Sequence, residues 1–105
     1  MAARHLKTAE FDAAVNAAPL AMVDFWADWC GPCKMLTPTV EALAEQYGDR
    51  VLTGKVNVDE EPELARRFGV MSIPTVVFLQ NGREVDRKVG VMPPAAFAAV
   101  LDKYL

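Results

Sequence analysis

Apolar residues along this chain change period several times, and each change marks an element. Phe11, Ala14, Val15 and Ala18 recur at i, i+3, i+4 and i+7, which predicts a first amphipathic helix with Thr8 as its cap. Leu20 to Ala27 (LAMVDFWA) is almost continuously apolar, the pattern of a central strand buried on both faces. Leu36, Val40, Leu43 and Tyr47 then mark one face of a second helix. Pro38 lies inside that helix and supplies no N–H to its ladder, which predicts a kink, and Gly48 is placed to stop it.

Val51 to Val58 (VLTGKVNV) predicts the next strand. Pro62 suits the first turn of a short helix carrying Leu64, Ala65 and Phe68, closed by Arg66, Arg67 and Gly69. Thr75 to Gln80 is a strand, Asn81-Gly82 a two-residue hairpin signal, and Arg83 to Val89 the strand's partner. Arg83, Glu84, Asp86, Arg87 and Lys88 give that partner the charge of a protected sheet edge. Phe97, Val100, Leu101 and Tyr104 predict a C-terminal helix. A helix followed by βαβαββα makes an α/β fold. Parallel strands joined by crossover helices come first, and an antiparallel hairpin completes a mixed sheet with helices on both faces.

Length and composition narrow the function. At 105 residues and 52% hydrophobic, positions 1–105 are expected to form one domain with a real core. The net charge is −3, without a basic run or interleaved basic and aromatic residues, so nucleic acid is not an expected partner. The N-terminus lacks the apolar h-region of a signal peptide, and no segment approaches about 18 consecutive apolar residues. The expectation is a cytoplasmic protein that makes no use of a membrane.

Trp29-Cys30-Gly31-Pro32-Cys33-Lys34 contains both cysteines. A disulfide needs Cα atoms roughly 4.4–6.8 Å apart, and cysteines at i and i+3 on a first helical turn meet that with little rearrangement. Such a bond closes a tiny loop and adds little stability, so it is suited to being made and broken. In a cytosolic setting this spacing beside a βαβ pattern points to redox chemistry, against two structural thiols or an inert bridge. Structural zinc wants four ligands, whereas the only addition to the two cysteines is His5, far away and expected at the surface. No metal or cofactor is expected, and no Gly-rich dinucleotide motif is present.

The start of a helix presents unsatisfied N–H groups and a positive dipole end, both of which favour a thiolate on Cys30. Cys33, one turn further in, should keep a higher pKa. Pro32 pre-sets a helical φ and stiffens the first turn. Asp24 interrupts an apolar strand, which predicts a buried carboxyl whose pKa desolvation raises and which can accept the Cys33 proton, directly or through water. Lys55, also mid-strand, offsets part of that shift. Trp26 is assigned to the core.

WCGPCK after an apolar strand, Ile73-Pro74-Thr75 far downstream, the Asn81-Gly82 hairpin and Asp24 on the preceding strand together resemble the thioredoxin family over essentially the whole chain. The resemblance implies a five-stranded mixed sheet flanked by four helices. It also implies a protein dithiol–disulfide oxidoreductase that reduces disulfides in other proteins, with Cys30 the attacking nucleophile and Cys33 the resolving cysteine. Asp24 would stand behind Cys33 with Lys55 near it, and Pro74 would be a cis-proline facing the disulfide. Gly31 and Pro32 would tune the redox pair. Trp29, Ile73, Gly90 and Val91, with Gly31 and Pro32, would line a protein-binding rim. Met71-Ser72 stands where relatives carry a basic residue, a departure that bears on partner preference. The implied partners are disulfide-containing proteins and an NADPH-dependent flavoprotein reductase that recharges a monomer. An oxidase or isomerase, or a binding module using the same rim without turnover, are the alternative readings.

Overall fold

The computed structural model describes residues 2–105. Strand β1 (Arg4–His5) leads into helix α1 (Thr8–Asn16), strand β2 (Leu20–Trp26), helix α2 (Gly31–Tyr47) and a 3₁₀ turn at Gly48–Arg50. Strand β3 (Leu52–Asn57), helix α3 (Pro62–Arg67), the hairpin β4 (Thr75–Gln80) and β5 (Arg83–Val89), and helix α4 (Pro94–Tyr104) complete the chain. The sheet order is β1-β3-β2-β4-β5. β1 and β2 run parallel to β3, while β4 runs antiparallel to both β2 and β5.

The central strand explains its own composition. Leu20 and Met22 face a core shared with Leu36, Val40 and Leu43 of α2 and Phe97 and Leu101 of α4. Ala21, Val23 and Phe25 face the other, built with Phe11 and Val15 of α1 and Leu64 of α3. Helices on both faces leave a strand no polar side, so alternation vanishes from its sequence. By the two-residue period of a strand, Asp24 falls on the same face as Leu20 and Met22, under α2 and α4. It is 1% exposed.

Four of the five strands and all four helices follow the periodicities. β1 does not: two exposed residues are too short to show alternation, and the strand is seen only through its pairing of Arg4 with Gly54 and His5 with Lys55. The cap of α1 also differs. Lys7 occupies the cap, and Thr8 is the first helical residue. Its N–H and hydroxyl both donate to Oε1 of Glu61, each at 2.9 Å, which ties the start of α1 to the residue preceding α3. α2 continues through Pro38 to Tyr47, where Gly48 at φ 55° ends it. Asn81 and Gly82 both take positive φ, 51° and 81°, as a primed two-residue turn requires. Among the described residues, no helix is long and apolar enough to cross a membrane.

Candidate active site

The site forms where β2 gives way to α2. Cys30 is the cap residue of α2, with an extended backbone (φ −90°, ψ 106°), and its Sγ accepts the N–H of Cys33 at 3.1 Å. One of the donors left free by helix geometry is therefore aimed at sulfur. Gly31 and Pro32 fill the first helical positions and are exposed, and Pro32 has no N–H to leave unpaired. Cys30 and Cys33 are joined by a disulfide with their Cα atoms 5.2 Å apart. Both residues are nearly covered, at 4% and 2% exposure, so position distinguishes them rather than accessibility. Cys30 lies at the helix mouth, and Cys33 packs one turn inside it.

A second segment closes over the first. The Ile73–Pro74 peptide is cis, and the Ile73 carbonyl oxygen lies 3.8 Å from Cys30 Sγ. Pro74 is buried, and its carbonyl accepts the N–H of Gly90 at 2.8 Å. Gly90 has φ 92°, a conformation that side-chain-bearing residues rarely adopt. Thr75 Oγ1 donates to the Ser72 carbonyl at 2.6 Å and pins the other side of the loop. Val91 is exposed just beyond Gly90.

Trp29 is 70% exposed, and its indole Nε1 donates to Oδ2 of Asp59 at 2.8 Å. Trp29, Val58, Ala65, Val70, Met71, Ser72 and Ile73 line a groove of about 310 Å³ leading away from the disulfide. Met71 is almost fully exposed on its wall, with its thioether facing solvent. The structure thus brings Cys30, Cys33, Ile73, Pro74 and Gly90 into one contact chain, with Trp29 joined to Ile73 across the groove. Sequence reasoning did not find Asp59. It lies in an acidic stretch after β3, and no spacing rule connects it to Trp29.

Asp24 is set back from this rim. It pairs in register with Lys55 on β3 and Val76 on β4. Neither carboxylate oxygen has a hydrogen-bond partner among the described residues. Burial pushes its pKa up to about 6, with Lys55 pulling downward and Glu41 pushing further upward. Lys55 is itself buried, its Nζ 4.6 Å from the centre of the Trp26 ring. Trp26, at the C-terminal end of central strand β2, is half-buried: it packs against the Ala27, Cys30 and Cys33 cluster and meets His5 edge-on.

A dithiol–disulfide pair at a helix start, beneath a cis-proline loop and beside an apolar groove, defines a small thiol–disulfide oxidoreductase. The thioredoxin family model matches residues 2–103. A thioredoxin of Staphylococcus aureus is 45% identical over the whole length of both chains. Thioredoxin 1 of Synechococcus elongatus is 49% identical over 84 residues, covering 80% of this chain and 78% of that one. A point-mutant thioredoxin of Halobacterium salinarum superposes with a TM-score of 0.91 at 36% identity, covering 98% of this chain and 90% of that one. The oxidised mitochondrial thioredoxin 3 of Saccharomyces cerevisiae does so at 0.87 and 31%, covering 96% and 94%. The chain belongs to the thioredoxin family.

Proposed function

We propose that this chain is a general reductant of protein disulfides in which Cys30 attacks and Cys33 resolves. The observation that carries the assignment is the cap position of Cys30, with a helix N–H on its sulfur and the Ile73 carbonyl beside it. In the reduced protein the Cys30 thiolate attacks one sulfur of a substrate disulfide. A Cys30–substrate bond forms, the substrate S–S bond breaks, and one substrate thiolate leaves. Asp24 takes the Cys33 proton, directly or through water, and the Cys33 thiolate attacks Cys30 Sγ. The Cys30–Cys33 bond forms, the second substrate sulfur leaves and picks up a proton, and two electrons have passed to the substrate.

Gly31 and Pro32 hold the first turn so that both sulfurs keep bonding distance in either redox state. Pro74 holds the neighbouring backbone open for an extended substrate segment to pair with it, which needs no side-chain code and suits many partners. Trp29, Ile73, Gly90 and Val91 form the rim on which that segment rests. Lys55 moderates the proton affinity of Asp24. The oxidised chain is returned to the dithiol by a flavoprotein reductase that draws on NADPH. It works as a monomer in the cytoplasm, where thiols are held reduced.

Insulin reduction by wild type and Cys30→Ser tests the assignment. Turnover should vanish with Cys30, and Cys33→Ser should accumulate substrate proteins as mixed disulfides. Undiminished activity in Cys30→Ser would overturn the division of roles, and sedimentation of the oxidised protein checks the monomer.

A further inference from the structure

Glu41 sits on α2 two four-residue steps beyond Cys33, along the ridge Cys33–Thr37–Glu41. It is half-buried, and its Oε1 accepts the backbone N–H of Ala3 at 2.8 Å. Ala3 immediately precedes β1 and packs in the core beneath α2 and α4. The β1 register, Arg4 with Gly54 and His5 with Lys55, lays this segment along β3. A carboxylate is thus fixed over the sheet face that carries Asp24, Trp26 and Lys55. A flexible surface glutamate would average its field into solvent, whereas a tethered and half-buried one keeps it.

Few other charges reach that face. β3 brings Lys55, whose Nζ stacks on Trp26, and β1 brings His5, which meets the same ring edge-on at 6.0 Å between centroids. β4 brings apolar Val76 and Phe78, β5 carries Lys88 and Asp86 beside them in register on the same face but one strand further from Asp24, and α4 brings apolar Phe97 and Leu101. From α2 itself come Cys33, which carries no charge in the disulfide form, and Glu41.

We propose that Glu41 is a positioning residue of the redox centre, acting through Asp24: its anchored negative charge opposes Lys55 and helps decide when Asp24 is free to take the Cys33 proton. The proposal rests on the reading of Asp24 as proton acceptor. Its direction agrees with the upward push that Glu41 exerts on Asp24. The N-terminal strand thereby gains a role in the chemistry, because the Ala3 N–H holds the charge in place.

The test is Glu41→Gln, which keeps an oxygen for the Ala3 N–H and removes only the charge, together with Glu41→Lys. In the oxidised protein, the Asp24 carboxyl titration is followed by NMR or difference infrared spectroscopy. Its midpoint should fall by roughly half a pH unit in Glu41→Gln, about a threefold loss of proton affinity, and further in Glu41→Lys. The pH profile of the resolving step, measured by single-turnover reduction, should move to lower pH by the same amount. An Asp24 titration that stays in place in both variants overturns the proposal. A titration that moves while the rate profile does not supports Glu41's influence on Asp24 and overturns the reading of Asp24 as the base.

Discussion

The exposed indole of Trp29 is held by Asp59, its Nε1 2.8 Å from Oδ2, so the most exposed aromatic side chain of the rim does not swing freely. A fixed ring offers a substrate apolar area without the entropic cost of ordering it at binding. Asp59→Ala should therefore lower kcat/KM toward protein disulfides about two- to tenfold, equivalent to about 0.4–1.4 kcal/mol. Reaction with a small disulfide reagent, which makes no use of the rim, should be unchanged. Because the pair is exposed, the melting free energy should move by less than about 0.5 kcal/mol. Equal losses with both substrates would mean that Asp59 acts on the thiols and not on the ring.

Thiol reactivity should be unequal in the reduced protein. Cys30 Sγ receives a helix N–H and sits at the positive end of α2, whereas Cys33 lies within the first turn. Iodoacetamide near neutral pH should alkylate Cys30 much faster, as read by peptide mass spectrometry over time. Matching rates at the two cysteines would remove the basis for assigning them different roles.

These two cases differ in how far the sequence led to them. Cys30 and Cys33 were legible because their chemistry depends on spacing along one helical turn. Asp24 was legible because a lone carboxyl in LAMVDFWA has nowhere polar to go. The long-range contacts that hold Trp29 and Glu41 were not. Asp59 reaches Trp29 from 30 residues away, and Glu41 reaches the Ala3 N–H from 38. Local patterns carry no record of such pairings. β1 escaped for a related reason, since a two-residue strand is defined by its neighbour β3 and not by its own side chains. The start of α1 also depends on a distant residue: Thr8 lies one position inside the cap, where Glu61 accepts both its N–H and its hydroxyl.

Gly90 allows a test of the loop that faces Cys30. Its N–H reaches the Pro74 carbonyl at 2.8 Å with φ at 92°, and open space surrounds the position a Cβ would take. Gly90→Ala is therefore penalised by backbone strain and not by collision, at about 1–2 kcal/mol. The expected result is a variant less stable by that amount in urea melts, with reduced insulin-reduction activity as the Pro74 loop loses its anchor. An alanine variant as stable as wild type would show that the backbone relaxes there without cost.

Asp24 should separate stability from function. Its pKa in the folded protein is raised to about 6 by burial, against 3.8 for an ordinary aspartate. Between those values the folded chain keeps a proton on Asp24 that the unfolded chain has released, so this residue's contribution to stability is most favourable below about pH 4 and declines as pH rises through 6. Above that window the ionised, buried carboxylate costs the fold about 3 kcal/mol, from a shift of roughly two units at 1.36 kcal/mol each. Asp24→Asn removes the charge but still buries a polar amide, so about 1–2 kcal/mol of the cost should be recovered at pH 7.5. Near pH 3.5, where both proteins are neutral at this position, the gain should disappear. The same variant has no carboxylate to accept the Cys33 proton, so release of substrate from the mixed disulfide should slow by one to two orders of magnitude. Urea melts of the oxidised protein at the two pH values, with single-turnover reduction alongside, read both effects. Lys55 sets the one opposing force: it faces Asp24 across the β2–β3 pair, and removing its counter-charge leaves a buried ammonium. A variant that is less stable at pH 7.5 and equally fast would make Asp24 the partner of Lys55 and leave Cys33 to lose its proton by another route.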